Sequence, residues 1–417
     1  MSQQLPRIEV VPVRPAVRTD SPTTLDVLLK IVPPNPTVQG DRPPLNLGLV
    51  IDRSGSMNER NKMTFARDAA IFVVNELTEK DRVSITLFDD KIETIAPNAP
   101  VTDKPHLIQL IEAIQPRDST DLHAGWAAGG EQVASQPTPG GLNRVLLLSD
   151  GQANAGETRP DEIATRVHNM HDRGVGTSTF GVGDSYNENL LESMARSGDG
   201  NYYYIESANQ MPLIFGAELR GLSATFGTDV SLAVEPADGV TLSDALNDFT
   251  MRLDGKLQLP NLIAGLPVYV VLRFEMNEST AVADRQVARF MLNWLPAKSV
   301  DRLSVAVELT VPVVTGPEYD DLPSHPEVQE RAVLLTVARH RKEATVAADA
   351  NDILTTRESL LMCKSMLSDV EPTQEILEEL QALERVQAHL DEGDTATFSK
   401  KAKYHNYQRS HSKPYEN

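Results

Sequence analysis

The sequence predicts an α/β domain with a doubly wound parallel sheet, inserted in or flanked by a β-sandwich and followed by a C-terminal helical segment. Three changes of residue pattern along the chain indicate this fold class. In the middle of the chain, leucine-rich and β-branched runs alternate with amphipathic stretches, which is typical of a parallel sheet covered by helices. Short extended runs with turn signals follow, and a helical pattern comes after them.

The N-terminal segment, residues 1–41, contains two stretches that alternate like strands, RIEVVPVRPAV and TTLDVLLKIVPP. One or two strands cannot bury a face by themselves. We therefore expect these strands to pair with strands of the later β-sandwich, which makes the α/β domain an insertion into that sandwich.

The α/β domain is predicted over residues 42–222. Its four expected buried strands are LNLGLVID, VSITLFD, NRVLLLSD and VGTSTFGVG, and the stretches between them carry apolar residues at helical spacing. Ala69, Val73 and Leu77, for example, fall on one face of the first predicted helix. The last helix of the domain is expected in SANQMPLIFGAELRGL.

The rest of the chain divides into three predicted parts. Residues 223–316 favour a β-sandwich, because helical spacing gives way to short extended runs. Residues 317–392 favour two or three antiparallel helices. Residues 393–417 form a basic tail, in which positions 398–417 hold five Lys or Arg against one Glu. We expect this tail to be a disordered end, with docking to an acidic surface of this protein or of a partner as the alternative.

The composition disfavours several classes of function. The formal net charge of -20 disfavours binding to nucleic acid or to a membrane surface, because it repels phosphate groups. The only cysteine, Cys363, cannot form an intrachain disulfide. The N-terminus shows no basic start followed by an apolar run. We therefore expect a cytoplasmic protein whose partners are proteins or cations, and we leave its oligomeric state open.

The strongest local signal is LGLVIDRSGSM, in which a buried strand ends at Asp52 and Ser54 and Ser56 follow at once. One carboxylate and two hydroxyls in a tight loop are the oxygen ligands that Mg²⁺ prefers. Thr120 in RDSTDLHAGW and Asp150 at the end of NRVLLLSD map to the same edge of the sheet. This convergence predicts a metal site. A simpler alternative is that these loops are turns that only cap the following helices.

These motifs resemble the von Willebrand factor type A domain family, in which such loops form a metal ion-dependent adhesion site. The resemblance covers about residues 42–222, with DRSGS at 52–56, STDL at 119–122 and LLLSDGQAN at 146–154 in the family's order. The surrounding strands and helices are also similar to bacterial intracellular members of the family, and the insertion is similar to the hybrid and I-like domains of integrin β chains.

The resemblance implies a role for each site residue. The direct metal ligands would be Ser54, Ser56 and Thr120. The carboxylates of Asp52 and Asp150 would act directly or through water. The metal would be Mg²⁺, with Mn²⁺ or Ca²⁺ as alternatives, and a partner protein would offer an Asp or Glu to it.

The predicted function is thus a metal-dependent protein interaction module, not an enzyme. A Mg²⁺-dependent phosphatase is an alternative, because it also places an Asp at a strand end. Such enzymes usually carry a second Asp two residues later, where this chain has Ser54. The family resemblance also permits a non-catalytic subunit of an AAA+ ATPase assembly.

Overall fold

The computed structural model describes residues 5–35, 42–117, 119–138, 140–150, 155–183, 186–278, 284–297, 299 and 301–411. Residues 151–154 of the third predicted motif and residues 412–417 of the predicted tail lie outside this set. The chain divides into two compact units. An α/β unit lies within Val38–Thr225 and Ala297–Val300, and a second unit lies within Met1–Thr37, Phe226–Pro296 and Asp301–Asn417.

The strands come in three groups along the chain. The first group is β1 (Arg7–Pro12), β2 (Val17–Arg18) and β3 (Thr23–Val32). The second group is β4 (Leu45–Asp52), β5 (Arg82–Phe88), β6 (Ile92–Pro100), β7 (Leu142–Ser149), β8 (Val175–Val182) and β9 (Tyr202–Ile205). The third group is β10 (Thr225–Pro236), β11 (Val240–Ala245), β12 (Leu257–Gln258), β13 (Leu262–Ile263), β14 (Val268–Met276), β15 (Asp284–Pro296) and β16 (Leu303–Val314).

The helices lie among the strands of the second group and after those of the third. The helices of the α/β unit are α1 (Lys62–Glu76), α2 (Lys104–Glu112), α3 (Leu122–Ala134), α4 (Pro160–Asp172), α5 (Glu188–Ser197) and α6 (Met211–Ser223). The helices of the second unit are α7 (Gly316–Asp320), α8 (Pro326–Asp349), α9 (Ile353–Ser368), α10 (Gln374–Asp391) and α11 (Thr395–Ser410).

The sheet of the α/β unit has the strand order β6-β5-β4-β7-β8-β9, and every neighbouring pair except β5 and β6 is parallel. Leu47 and Leu49 of β4 belong to a core shared with α1 and α6. Val50 packs against α3, where a Cβ on Gly129 would lie 2.2 Å from the Val50 Cγ2 atom. Helices therefore cover both faces, and the carboxyl ends of β5, β4 and β7 lie side by side.

Three elements of the α/β unit are missing from the sequence prediction, namely β6, β9 and α5. Most of β6 is partly or fully exposed, and β9 has only 4 residues. Neither strand therefore shows the long buried run that reveals β4 and β7. The predicted fold class itself is confirmed, because a doubly wound α/β sheet, a β-sandwich and a C-terminal helical segment are all present.

The sandwich of the second unit contains two sheets, with strand orders β1-β3-β14-β11 and β12-β10-β15-β16-β2. β3 pairs antiparallel with β14, from Thr23 opposite Met276 to Ile31 opposite Val268. Strands from the N-terminal segment therefore complete a sheet whose other strands follow the α/β unit in the sequence. Apolar side chains of both sheets form one core, which includes Leu25, Leu29, Val270, Phe274 and Trp294.

Four long helices, α8 to α11, pack together in the second unit. Their shared core includes Leu334, Leu360, Leu383 and Phe398. The sequence predicts two or three helices that end near residue 392, so α11 is an additional helix. None of the helices in the described part of the chain combines the length and the hydropathy that crossing a bilayer requires.

The expectation of a disordered basic end is wrong for residues 395–410, which form α11. The basic side chains of this helix find acidic partners on its neighbours. Arg409 lies 2.9 Å from Glu375 and 2.9 Å from Glu379, both on α10. Lys403 lies 2.8 Å from Asp349 at the end of α8. Charge complementarity within the unit therefore holds a segment whose own composition suggests disorder.

Candidate metal centre

The candidate centre lies where β4 ends at Asp52. The Asp52 carboxylate is fully buried. Its Oδ1 accepts a hydrogen bond from the backbone N–H of Ser54 over 2.8 Å, and its Oδ2 accepts one from the Ser149 hydroxyl over 2.6 Å. Burial raises the pKa of Asp52 to about 6, although the hydrogen bonds from Ser149 and Ser54 oppose that shift.

A chain of hydrogen bonds joins the two predicted serines to Asp150. The hydroxyl oxygens of Ser54 and Ser56 are 3.1 Å apart, and the Ser56 hydroxyl donates to Asp150 Oδ1 over 2.7 Å. Asp150 directly follows β7 and is buried. The ends of two neighbouring parallel strands, β4 and β7, thus bring two carboxylates and two hydroxyls together.

Thr120 approaches the same edge of the sheet on a third loop and is 4% exposed. Backbone hydrogen bonds attach this loop on both sides of Thr120. The N–H of Arg117 donates to the carbonyl oxygen of Arg53 over 2.6 Å. The N–H of Asp121 donates to the carbonyl oxygen of Asp89, just after β5, over 2.9 Å. The Thr120 loop is therefore attached next to the ends of β4 and β5.

The chemistry of these side chains fits a hard divalent cation. Hydroxyl and carboxylate oxygens are the ligands that Mg²⁺ and Ca²⁺ take. Within the described residues, no group of three or more His, Cys, Asp or Glu side chains is placed to hold a metal ion. A cation at this edge would therefore depend on the serine and threonine hydroxyls as well as on Asp52 and Asp150.

Comparison with known proteins identifies the domain that carries these loops. Residues 46–217 match the family model of the von Willebrand factor type A domain. The chain contains a von Willebrand factor type A domain. The matched residues include all three loops that carry the predicted metal ligands.

Two curated relatives match this domain. Uncharacterized protein YfbK of Escherichia coli is 31% identical over 194 residues, which make up 46% of this chain and 34% of that protein. Uncharacterized protein sll0103 of Synechocystis sp. is 29% identical over 196 residues, which make up 47% of this chain and 46% of that protein. The matches thus span between a third and a half of the length of these relatives.

A solved structure resembles the chain beyond the von Willebrand factor type A domain. It is the von Willebrand factor type A protein from Catenulispora acidiphila, with a TM-score of 0.72 and 13% sequence identity. The match covers 92% of this chain and 91% of that chain. At this identity the likeness concerns the fold alone, which here includes the sandwich and the helices.

Sequence reasoning misses Lys62, the first residue of α1 in the von Willebrand factor type A domain. Lys62 is 6% exposed, and its ammonium group forms a short ion pair with Asp150 Oδ2. The ion pair therefore places a buried positive charge beside the predicted metal ligands. A single lysine carries no signal in a sequence, since only the fold brings it to Asp150.

Sequence reasoning also misses Asp89, which directly follows β5 in the same domain. Burial raises the pKa of Asp89, but a hydrogen bond from the Lys91 N–H and the charges of Arg53 and Arg117 outweigh it and hold that pKa below its usual range. Its position is a signal that the sequence does carry, because Asp89 stands at the end of a buried run, as Asp52 and Asp150 do.

Proposed function

We propose that this von Willebrand factor type A domain binds one divalent cation and uses it to bind a partner protein. The ligands would be Asp52, Ser54, Ser56, Thr120 and Asp150. The metal would be Mg²⁺, with Mn²⁺ and Ca²⁺ as alternatives. The observation that carries this proposal is the hydrogen-bonded series from Ser54 through Ser56 to Asp150, which lies beside the buried Asp52 carboxylate.

Each residue contributes in a way that its contacts support. Asp52 is held by the Ser149 hydroxyl and the Ser54 N–H, so its oxygens have a fixed direction. Ser56 bridges Ser54 and Asp150, which keeps two hydroxyls on the same side. Thr120 comes from the loop beside β5 and would complete the protein's share of the ligands.

The balance of charge favours an acidic partner. The carboxylates of Asp52 and Asp150 and the ammonium group of Lys62 together carry one negative charge. A bound divalent cation would change this to one positive charge. When bound, the cation supplies an electrophilic position that an Asp or Glu of a partner can fill. Such charge complementarity also speeds the encounter between partners.

We propose that the domain is not an enzyme. A phosphatase of the aspartyl-phosphate type would need an acid two residues after Asp52, and the residue there is Ser54. No feature of the described residues favours an AAA+ ATPase over other partner proteins. The cytoplasmic location inferred from the composition stays a proposal.

Calorimetric titration of the full chain with Mg²⁺ and Mn²⁺ tests the metal site. We expect the wild type to bind one ion, and we expect the double variant Ser54→Ala with Ser56→Ala to bind none. Ser135→Ala is the matched control, because Ser135 sits after the far end of α3 and its hydroxyl donates to the carbonyl oxygen of Gln132. A wild type without any divalent-metal response would overturn the proposal.

An affinity pull-down with Mg²⁺ and again with EDTA tests the partner side. We expect prey that is retained with Mg²⁺ and released by EDTA, and lost with the Ser54 and Ser56 double variant. Prey that the double variant retains in a metal-dependent way would contradict the assignment of this site.

A further inference from the structure

The Asp89 carboxylate connects two loops that carry predicted metal ligands. Asp89 is fully buried just after β5. Its Oδ2 lies 2.7 Å from Arg53 Nε and 3.1 Å from Arg117 Nε, and its Oδ1 accepts the Lys91 N–H over 2.6 Å. Both carboxylate oxygens are therefore held by donors of this chain, which fixes the direction of the Asp89 carboxylate.

The two arginines belong to different ligand loops. Arg53 lies between Asp52 and Ser54, and Arg117 lies three residues before Thr120. One buried carboxylate thus holds the serine loop and the threonine loop to the same point. The Arg53 contact is a charge-assisted hydrogen bond, which is stronger than one between neutral groups, and the Arg117 contact is an ion pair.

We propose that Asp89 is a positioning residue that sets the separation between the serine pair and Thr120, so that hydroxyls from both loops can reach one cation. This inference rests on the proposed metal-dependent function. Residues that orient metal ligands affect metal affinity without touching the metal, and their loss typically weakens binding by about 10–100-fold.

Glu93 provides a matched control for Asp89. It lies on β6, its side chain is 54% exposed, and it binds Arg53 Nη1 over 2.8 Å. Of the two arginines, only Arg53 contacts Glu93 in the described part of the chain. Glu93→Gln therefore removes a carboxylate charge from the same arginine, but it leaves the connection between the two loops intact.

The central experiment compares Asp89→Asn with Glu93→Gln in the full chain, by calorimetric titration with Mg²⁺. We expect Asp89→Asn to weaken Mg²⁺ binding by about tenfold or more, and Glu93→Gln to change it by less than about twofold, as for an exposed ion pair. Because Glu93 still compensates the buried Arg53 charge, Asp89→Asn should remain folded.

A double-mutant cycle with Thr120→Ala separates positioning from a general loss of stability. If Asp89 acts by placing Thr120, Asp89→Asn should cause no further loss of Mg²⁺ affinity once Thr120 has lost its hydroxyl. An equal loss in both backgrounds would overturn the proposal. So would equal Mg²⁺ affinities for Asp89→Asn and Glu93→Gln.

Hydrogen exchange without metal gives an independent measurement. The amides of residues 117 and 119–124 should exchange faster in Asp89→Asn than in wild type, and at the wild-type rate in Glu93→Gln. If Asp89→Asn fails to fold, Arg117→Gln takes its place, because the Arg117 side chain is 40% exposed and tolerates replacement. A wild type that binds no metal overturns the proposed function as well, whereas unchanged exchange in these variants overturns only the role of Asp89.

Discussion

Lys62 and Asp150 form a short, nearly completely buried ion pair, in which the lysine ammonium holds one carboxylate oxygen while the Ser56 hydroxyl holds the other. The ammonium group therefore supplies, in the metal-free chain, part of the positive charge that a bound cation would bring. Loss of one member of a buried ion pair leaves the other charge uncompensated, which is the strongly destabilising case.

Lys62→Met should therefore lower the stability of the metal-free protein by about 3–5 kcal/mol. It should also raise the affinity for Mg²⁺ by about tenfold or more, since unit charges a few ångströms apart interact by several kcal/mol. Thermal melts in EDTA and titrations with Mg²⁺ measure both effects. Lys104→Met is the control, because Lys104 also begins a helix but its ammonium group donates to the carbonyl oxygen of Asn75 rather than to a carboxylate. An unchanged Mg²⁺ affinity in Lys62→Met would contradict the charge argument.

The helical part of the chain should be sensitive to mild acid through His405 on α11. Burial lowers the pKa of His405 to about 3, and the charge of Arg341 acts in the same direction. An unfolded histidine titrates near about 6.5. Between these two pKa values the unfolded chain binds a proton at His405 and the folded chain does not. The folded state therefore loses stability as the pH falls below about 6.5.

The contribution of His405 can be isolated with His405→Gln. Urea unfolding at pH 7, 6 and 5 should show that the wild type loses more stability on acidification than the variant does. The difference should approach about 1.4 kcal/mol per pH unit, which corresponds to one proton. Parallel pH dependences of the two proteins would show that His405 titrates normally in the folded chain.

Cys363 should serve as a reporter of helix packing. Its thiol is buried on α9, its Sγ lies 3.6 Å from the carbonyl oxygen of Val337, and burial raises its pKa to about 11. Because the thiolate is the reactive form, we expect almost no reaction with a disulfide reagent at pH 8 in the folded protein. Full reaction should appear in urea at the concentration where the helices unfold. Rapid labelling of the native protein would show that α9 opens locally.

The sequence reveals Asp52 and Asp150 because each ends a long run of buried residues, and that pattern depends only on local hydrophobicity. Asp89 ends such a run too, but its contacts with Arg53 and Arg117 depend on side chains that only the fold brings together, as does the contact of Lys62 with Asp150. The sequence does not predict helix α11, for a related reason. Its sequence is largely polar, and its packing combines a few apolar side chains such as Phe398 with acidic partners from α8 and α10 that lie far away in the sequence.

Asp52→Asn should separate the stability of the metal centre from its capacity to bind metal. Burial raises the pKa of Asp52 to about 6, and the nearby Asp150 charge adds to this effect. A carboxyl group whose folded pKa lies above its unfolded value of about 3.9 loses its stabilising contribution as the pH rises from about 4 to about 6. At pH 7 the ionised Asp52 carboxylate therefore lowers the stability of the metal-free protein.

Asparagine has the same shape as aspartate but carries no charge, and its amide group can donate to the Ser149 hydroxyl oxygen. Asp52→Asn should thus stabilise the metal-free protein at pH 7 by about 1–3 kcal/mol. The stabilisation should shrink as the pH falls towards 4, where the wild-type carboxyl is also neutral. In the same variant the increase in melting temperature on adding Mg²⁺ should disappear, because a carboxylate ligand is lost.

Unfolding measured in EDTA at pH 7 and pH 4.5, with Mg²⁺ added in parallel at pH 7, tests both halves of this prediction. Asp68→Asn on the exposed side of α1 is the control and should change neither stability nor the metal response. If Asp52→Asn destabilised the metal-free protein at pH 7, the hydrogen bonds from Ser54 and Ser149 would outweigh the burial of the charge. The carboxylate would then be part of the fold itself, and its presence would be no sign of a metal site.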